Sequence, residues 1–551
     1  MRIMHKKIVL WLKENKWIIL LSGLCLLIIS MPMFADEGFN LFTGDDLWYH
    51  LLRIENVRAG LEAGQFPVRM GTNWQNHFGY ASSLCYPELF LYIPAGLILA
   101  GMNYVRSFKV FVLLLHIGTF LTVYLCGKGI SKNRYIGLTA AIITVLSPVY
   151  FNQIYYRGAM GEAEAMVFFP LVIWGLYHLI YEEFDKPWIM GIGFWGLMFS
   201  HSISVVLAFG TCLVVCLFYA KQLLWNRQKM IRLGVTVLMV LLTTMTFWLP
   251  LLEQMLTCDL NFSETAKGVA GAALPLKRVL SIGFDRCNFG IQILGLCALR
   301  VFIRKKQEET TACRNMDWCL LVGVGLLYAT TKYFPWELLK TILNPIQFPW
   351  RLYSVAIVFL GVGIGYVLWI LFKKYRVLTC LAVLVIMTVG MHVWMYQYPM
   401  NYVNVGFDSY EHTKNTFNIG WGEWINKNVD TSQLRGERLV LDAEGNRVVY
   451  AEQADGGITF EVNGSEYYDV PFLWYKGYSA ELIDADEETQ LTISDQAANY
   501  TIRIQAHGIK EGQIHMAYTG TWCQKTGDVV SLLSVLICLG GIAGSILKKK
   551  K

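Results

Sequence analysis

Asp45 and Asp46 open a short polar run, Gly44-Asp45-Asp46-Leu47-Trp48-Tyr49-His50, in a chain that is otherwise largely apolar. Carboxylates beside a hydrocarbon slab are costly to keep and mark functional positions. A helix capped by Asp45 and running to about Gly64 would place Asp46, His50 and Arg53 at i, i+4 and i+7 on one polar face. Leu47, Leu51, Ile54 and Leu61 would form an adjacent apolar stripe on its membrane side. The polar face then offers a carboxylate, an imidazole and a guanidinium. That set suits a general base or a cation-holding carboxylate, with cationic groups nearby for phosphate. The bland alternative is helix capping on an ordinary amphipathic surface.

Three further segments carry candidates. Tyr155-Tyr156-Arg157-Gly158-Ala159-Met160-Gly161-Glu162-Ala163-Glu164 is short, which keeps its charges close to the membrane surface. Arg157 suits a phosphate, and Glu162 or Glu164 suits a sugar hydroxyl or its proton. A plain Arg–Glu pair is the competing reading, and exposed pairs contribute little. In Asn344-Pro345-Ile346-Gln347-Phe348-Pro349-Trp350-Arg351, two prolines prevent a regular helix. Arg351 then begins a span at the outer surface and could hold an anionic headgroup, although an interfacial Trp/Arg anchor is the commoner arrangement. His201, in Ser200-His201-Ser202, sits at a tight turn that it either serves or merely stabilises. Lys277, Arg278 and Arg286 depart from the charge bias of the other loops and are weak candidates for an anionic carrier.

The elements that must position these residues are membrane helices. The chain has 551 residues, 55% hydrophobic and 16% charged, against about 25% charged in soluble domains. Many apolar runs approach or exceed the roughly 18 residues that a bilayer requires. The net charge of +6 comes from Lys and Arg in short loops, as the positive-inside bias expects, and gives no reason to invoke nucleic acid. The 13 cysteines are scattered without CxxC or metal-like spacing, which argues against a disulfide scaffold or a zinc site. No Walker loop and no Rossmann GxGxxG occur. An enzyme acting on the outer side would therefore need a donor already carried in the membrane.

Charge bias orders the chain. Lys6, Lys7, Lys13 and Lys16 keep the N-terminus inside, and Trp17 to Phe34 crosses outward as an anchor rather than a cleaved signal. Residues 35–106 form a first external loop, within which Pro87 to Gly101 is too short to span and reads as an interfacial or re-entrant helix. Further spans at 107–126, 134–153, 165–182, 187–202, 204–220, 232–252, 285–303, 316–331, 352–372, 377–397 and 527–547 bring the expected total to about 12. Basic clusters at Lys221 to Arg232, Arg304 to Lys306, Lys373 to Arg376 and Lys548 to Lys551 fall inside. Residues 1–399 thus form the transmembrane domain, 400–524 an external antiparallel β domain, and 525–551 a last span with a basic cytoplasmic tail. In the β domain, alternating runs at Arg438–Leu441, Arg447–Tyr450, Ile458–Val462 and Tyr500–Ile504 are separated by turn signals, Glu444-Gly445-Asn446 and Asn463-Gly464.

Several strings occur together in order. These are Gly-Asp-Asp, His50, Gly64-Gln65-Phe66-Pro67-Val68-Arg69, Tyr86-Pro87, Tyr156-Arg157-Gly158-Ala159 with Glu162, Gln347-Phe348-Pro349-Trp350-Arg351 and Gly422-Glu423-Trp424. In this the chain resembles the bacterial membrane family labelled 6-pyruvoyl-tetrahydropterin synthase-related and its YfhO-like relatives, over nearly its whole length. That family in turn resembles the GT-C glycosyltransferases. The resemblance implies a GT-C-like fold, a catalytic Asp in the first external loop (Asp45 or Asp46), a polyprenyl-phosphate-sugar donor and an external C-terminal β domain. The pterin label does not extend to chemistry, because the soluble pterin enzyme uses paired histidines on zinc and none of the ten histidines here forms His-x-His.

The function expected is a plasma-membrane glycosyltransferase, passing a sugar from a polyprenyl-phosphate donor to an envelope glycan or glycopolymer. Asp46, Asp45 and Glu162 are the candidate catalytic groups. His50, Arg53, Arg157, Glu164, His201 and Arg351 are the candidate substrate-binding groups. No protein-bound metal site is assigned, and no cofactor beyond a divalent cation is considered. The competing readings are a flippase for lipid-linked intermediates and a non-catalytic envelope scaffold. Transporters place ionisable groups at midplane on broken helices. Here the candidate polar groups lie at the outer rim, which favours the enzyme.

Overall fold

A computed structural model describes residues 2–34, 40–262, 268–281, 287–303, 310–404, 422–483 and 491–550. Arg286 and the Arg304 to Lys306 cluster lie outside the described residues. The chain forms two compact units. One comprises residues 1–47, 104–240 and 266–404; the other comprises 48–103, 241–265 and 405–551.

The first unit is helical. Among the described residues, five helices are long and apolar enough to cross a membrane: Leu10–Phe34, Tyr104–Ser131, Met160–Tyr181, Pro349–Gln397 and Trp522–Gly541. Counting two bent pairs, Arg134–Val145 with Pro148–Tyr156 and Arg227–Thr243 with Met245–Thr257, raises the number to seven. About 12 spans were expected. Trp188–Met198, Ser202–Phe218 and Ile291–Phe302 form as shorter apolar helices. Thr310–Ala329 forms as a full helix but carries Arg314 and Asp317. The Pro349–Gln397 stretch holds two helices, Tyr353–Phe372 and Arg376–Gln397, joined at Lys373–Tyr375.

Helix Tyr353–Phe372 is apolar all round and buried from Tyr353 to Leu368, as a helix in the middle of a bundle must be. It packs against Arg134–Val145, itself buried from Tyr135 to Val145. Small residues allow the approach. A Cβ on Gly361 would lie 3.2 Å from the carbonyl oxygen of Ala140, and one on Gly365 would lie 3.0 Å from that of Ile136. A two-stranded antiparallel pair, Asn40–Phe42 with Tyr402–Asn404, completes this unit.

The second unit holds the β region. Among the described residues, two antiparallel sheets form. Arg447–Val448, Val440–Asp442, Tyr467–Leu473, Thr501–Gln505 and Thr492–Ser494 make one; Tyr450–Glu452, Ile458–Glu461, Gln513–Tyr518 and Tyr478–Ile483 make the other. Their buried faces meet, with Phe460 5.1 Å from Tyr468 between ring centroids. The run expected as one strand over Arg447–Tyr450 breaks at Val449, which is 90% exposed, and the chain changes sheets there. Gly445, at φ +82°, makes the turn that the Glu444-Gly445-Asn446 signal predicts.

The same unit contains Leu47–Glu62 from Trp48 onward and the short helix Tyr92–Leu99. At eight residues the latter is about 12 Å long, far short of a bilayer. Arg69 of the Gly-x-Phe-Pro-x-Arg string donates to the Thr246 carbonyl at 2.9 Å and pairs with Asp528 of the last helix. Trp424 stacks on Phe262 at 5.2 Å, and its indole N–H reaches the Tyr49 hydroxyl at 3.3 Å.

Candidate active site

The site is built where two glycines let backbones touch. A Cβ on Gly44 would lie 2.6 Å from the Arg157 carbonyl carbon. Gly158 has φ +62°, and a Cβ there would lie 2.8 Å from that of Leu47. No other residue type fits this approach. It allows the Asp46 N–H to donate to the Arg157 carbonyl at 2.7 Å. The Asp46 carboxylate then stands 3.6 Å from Nη2 of Arg157. Gly158→Ala is expected to cost more than the roughly 1–3 kcal/mol of left-handed strain alone, because backbone blocks the new methyl. Gly64→Ala, at φ +77° with nothing within 4 Å, should show the strain alone. Melting temperatures of the two variants in detergent test this; equal losses would show that the close approach is unimportant.

Arg157 follows a π-helical turn, Asn152–Tyr156, and its N–H donates to the Asn152 carbonyl at 2.8 Å. Such turns are frequent at functional sites. The helix Met160–Tyr181 starts just beyond, with Glu162 in its first turn, where a carboxylate complements the helix dipole. Arg157 grips Glu162 with two parallel bonds, Nη1 to Oε2 at 2.7 Å and Nη2 to Oε1 at 2.9 Å. Arg351 adds Nε to Oε1 at 2.9 Å. The three side chains are 5–9% exposed.

Arg351 is therefore not the lipid-facing anchor that its neighbours Trp350 and Pro349 suggested. Its Nη1 donates to the Ile346 carbonyl and to Oε1 of Gln347, at 2.8 and 2.9 Å. Gln347 is held at φ +62°, a strained conformation for a residue with a Cβ. Trp350 stays in the cluster, its ring 4.6 Å from the Arg157 guanidinium carbon. Gln153 approaches Oε2 of Glu162 at 3.5 Å and donates to Ser354 Oγ at 2.6 Å. Nothing in the sequence distinguished Gln153 or Ser354. Trp350 and Gln347 lay in a string already noted.

Electrostatics tie the group together. Burial works against the charge of Arg157, but Glu162 and then Asp46 overcome it and hold its pKa above the usual guanidinium value. Desolvation pushes the Asp46 carboxyl up, and Arg157 opposes it. The Asp46 side chain keeps 46% of its surface, so solvent limits that rise. Arg351 also acts on Asp46, and His201 on Glu162. His201 is buried with Nδ1 2.9 Å from Ser204 Oγ, the turn-stabilising contact that was the bland alternative. Asp45 is exposed beside Asp46, and Glu164 is buried one turn into the Met160–Tyr181 helix.

His50 and Arg53 belong to the second unit and are engaged there. These two members of the expected polar face are buried: Arg53 donates Nε to Glu88 at 3.2 Å, contacts His50 Nδ1 at 3.0 Å and lies over the Tyr86 ring at 4.1 Å. Glu88 is the partner that sequence reasoning missed, two residues beyond Tyr86. Helix Leu47–Glu62 begins one residue later than a helix capped by Asp45 would. Leu47, Leu51 and Ile54 are buried in protein, not turned to lipid. Lys277 and Arg278 are exposed on the short helix Leu276–Val279.

Among the described residues, His178, Glu182 and Asp185 are close enough to share a cation. Lys132 already lies 2.9 Å from Glu182, so this group reads as an ion-pair cluster.

A helical membrane body carrying an acid–guanidinium cluster defines a polytopic membrane protein with a built polar site. The family described as 6-pyruvoyl-tetrahydropterin synthase related domain, membrane protein, matches residues 85–398, more than half of the chain. The chain belongs to that family. An uncharacterised protein of Lactococcus lactis subsp. cremoris is 23% identical over 253 residues, which cover 44% of this chain and 40% of that protein. The match thus spans less than half of that relative's length. Among solved structures, the mycobacterial arabinofuranosyltransferase AftD is similar at TM-score 0.43 and 15% identity, over 69% of this chain and 28% of that one. The Archaeoglobus fulgidus oligosaccharyltransferase, tethered with an acceptor peptide, is similar at TM-score 0.39 and 13% identity, over 76% and 60%.

Proposed function

We propose that this protein is a membrane glycosyltransferase that moves a sugar from a polyprenyl-phosphate donor to an extracytoplasmic acceptor. The observation that carries the reading is the half-exposed carboxylate of Asp46, 3.6 Å from a guanidinium that Glu162 locks to a second one. An acceptor hydroxyl loses its proton to Asp46. The phosphate that leaves the sugar gathers negative charge, and Arg157 and Arg351 are the preorganised cations for it. Fixed groups of this kind need no reorganisation as charge develops.

Glu162 takes a positioning role in this scheme. Both its oxygens are engaged by guanidinium groups, so neither is free to meet a substrate. Asp46 and Glu162 balance Arg157 and Arg351, two negative charges against two positive. An arriving lipid phosphate would make the site net negative. A divalent cation at Asp45 and Asp46 would offset it.

The test is transfer by the full-length protein in lipid nanodiscs, using radiolabelled polyprenyl-phosphate hexoses and pentoses with envelope extract as acceptor. Label entering the acceptor fraction supports the reading; donor flipping without transfer would favour the transporter alternative. The orientation belongs to the same proposal, with both termini cytoplasmic and residues 400–524 outside the plasma membrane. A cysteine placed at Asp455 should react with an impermeant reagent in intact cells. Reaction only after the cells are broken would reverse the topology.

A further inference from the structure

The second unit contains a polar cleft apart from the acid–guanidinium cluster. Its volume is about 220 Å³, and its lining comes from residues 56–77 and from strand-and-turn residues 452–457, with Arg438. That is room for about seven waters at liquid density. It falls below the roughly 300 Å³ at which sites for drug-sized ligands begin. A single ring bearing hydroxyls fits; a nucleotide or a lipid does not.

The lining is polar and carries no net positive charge. Asn73, Gln453 and Thr72 present carboxamide and hydroxyl groups. Arg438 lies 2.5 Å from Glu452, and Asp455 lies 3.0 Å from His515. The carboxylates of Glu452 and Asp455 are 61% and 47% exposed, at the rim. They repel a polyphosphate or a uronic-acid polymer. Each sugar hydroxyl is both donor and acceptor, and carboxamides offer both in one plane.

The walls are held in place by backbone geometry. Gly456 has φ +81°, and a Cβ there would lie 2.6 Å from Cγ2 of Thr72. Glycine is what lets the turn close on the facing segment. Gln453 N–H donates to the Gly457 carbonyl, and Gly457 N–H to Asp455 Oδ1, each at 2.9 Å. On the facing side, Gln75, Asn76 and His77 all have φ between +54° and +63°. Asn76 fixes that run by donating to the Leu434 and Gly436 carbonyls at 3.1 Å. Consecutive left-handed residues with side chains are costly and collect at ligand-clamping segments. Walls fixed in advance reduce the ordering cost of binding.

We infer that this cleft binds one ring of a neutral saccharide. Among the described residues its lining includes no Phe, Tyr or Trp, so binding rests on hydrogen bonds and is weak, with a Kd of about 1 mM, near −4 kcal/mol. That the bound ring belongs to the transfer acceptor rests on the proposed function; the binding itself does not.

Saturation-transfer NMR on the full-length protein in nanodiscs, with no donor present, tests the inference. The probes are neutral gluco-, galacto-, manno- and arabino-configured di- and trisaccharides, with poly(glycerol phosphate) as the polyanion. At least one neutral saccharide should bind. Asn73→Ala with Gln453→Ala should weaken it by about tenfold, as expected for two hydrogen bonds between neutral groups. Ala59→Met, which fills the cleft, should abolish it. The melting temperature reports whether each variant is folded. Absence of binding by every neutral probe, binding unchanged in all folded variants, or binding of the polyanion alone would each overturn the inference. Because no donor is present, failure of the transferase reading would leave these signals intact.

Discussion

Asp46→Asn is expected to lower transfer at least a hundredfold, with the protein still folded. A positioned general base contributes about 10² to 10⁴ in rate, and the amide cannot accept the acceptor's proton as a carboxylate does. The structural cost should be small. Asp46 Oδ2 is 3.6 Å from Arg157 and half of the side chain is accessible, so the pair is screened and adds little to stability. Asp45→Asn, on the exposed neighbour, should retain most of the activity. Wild-type activity should fall as pH drops through the Asp46 pKa, which desolvation holds above the ordinary carboxylate value, because the working form is the deprotonated one. Full activity of Asp46→Asn with a matched lipid-sugar donor would remove this residue from the chemistry. Retention of the acid limb in the pH profile of a partly active Asp46→Asn variant would assign that limb to another group.

Glu162→Gln should act on the fold as much as on the reaction. The carboxylate is buried between two guanidiniums. Removing its charge leaves Arg351 uncompensated and Arg157 with only the half-exposed Asp46, in a low-dielectric setting, which costs about 3–5 kcal/mol. The expected result is a lower melting temperature and poor recovery from membranes, together with lost transfer. Pairing it with Arg351→Gln should restore part of the stability, because one of the stranded charges is then gone. A catalytic-acid role for Glu162 makes the opposite prediction, a stable Glu162→Gln protein without turnover. Measuring thermal unfolding beside transfer separates the two. A stable, inactive variant would return Glu162 to the chemistry and leave Asp46 as its partner.

The helical membrane character followed from composition and from apolar runs alone, since burial in hydrocarbon is a property of segments. The same holds for the β region, whose alternation and Gly turns are local signals. Candidate residues were legible for the same reason: Asp46, Arg157, Glu162 and Arg351 stood out as charges beside apolar runs. Which of them meet is a different kind of fact. Asp46 reaches Arg157 because Gly44 and Gly158 permit two backbones 114 positions apart to touch. Arg351 reaches Glu162 across 189 positions of chain. No periodicity encodes such pairings. His50 and Arg53 show the converse. Helical spacing placed them on one face with Asp46, yet Arg53 is buried against Glu88, a choice made by tertiary partners and not by the helix. Span number is legible only coarsely: among the described residues five helices, or seven with the bent pairs, are long and apolar enough to cross, and shorter apolar helices such as Trp188–Met198 and Ser202–Phe218 stand where further spans were expected. The sequence by itself thus determined what could be buried and which charges were available. Only the tertiary structure decided which charges neutralise one another, and so which carboxylates are left facing solvent.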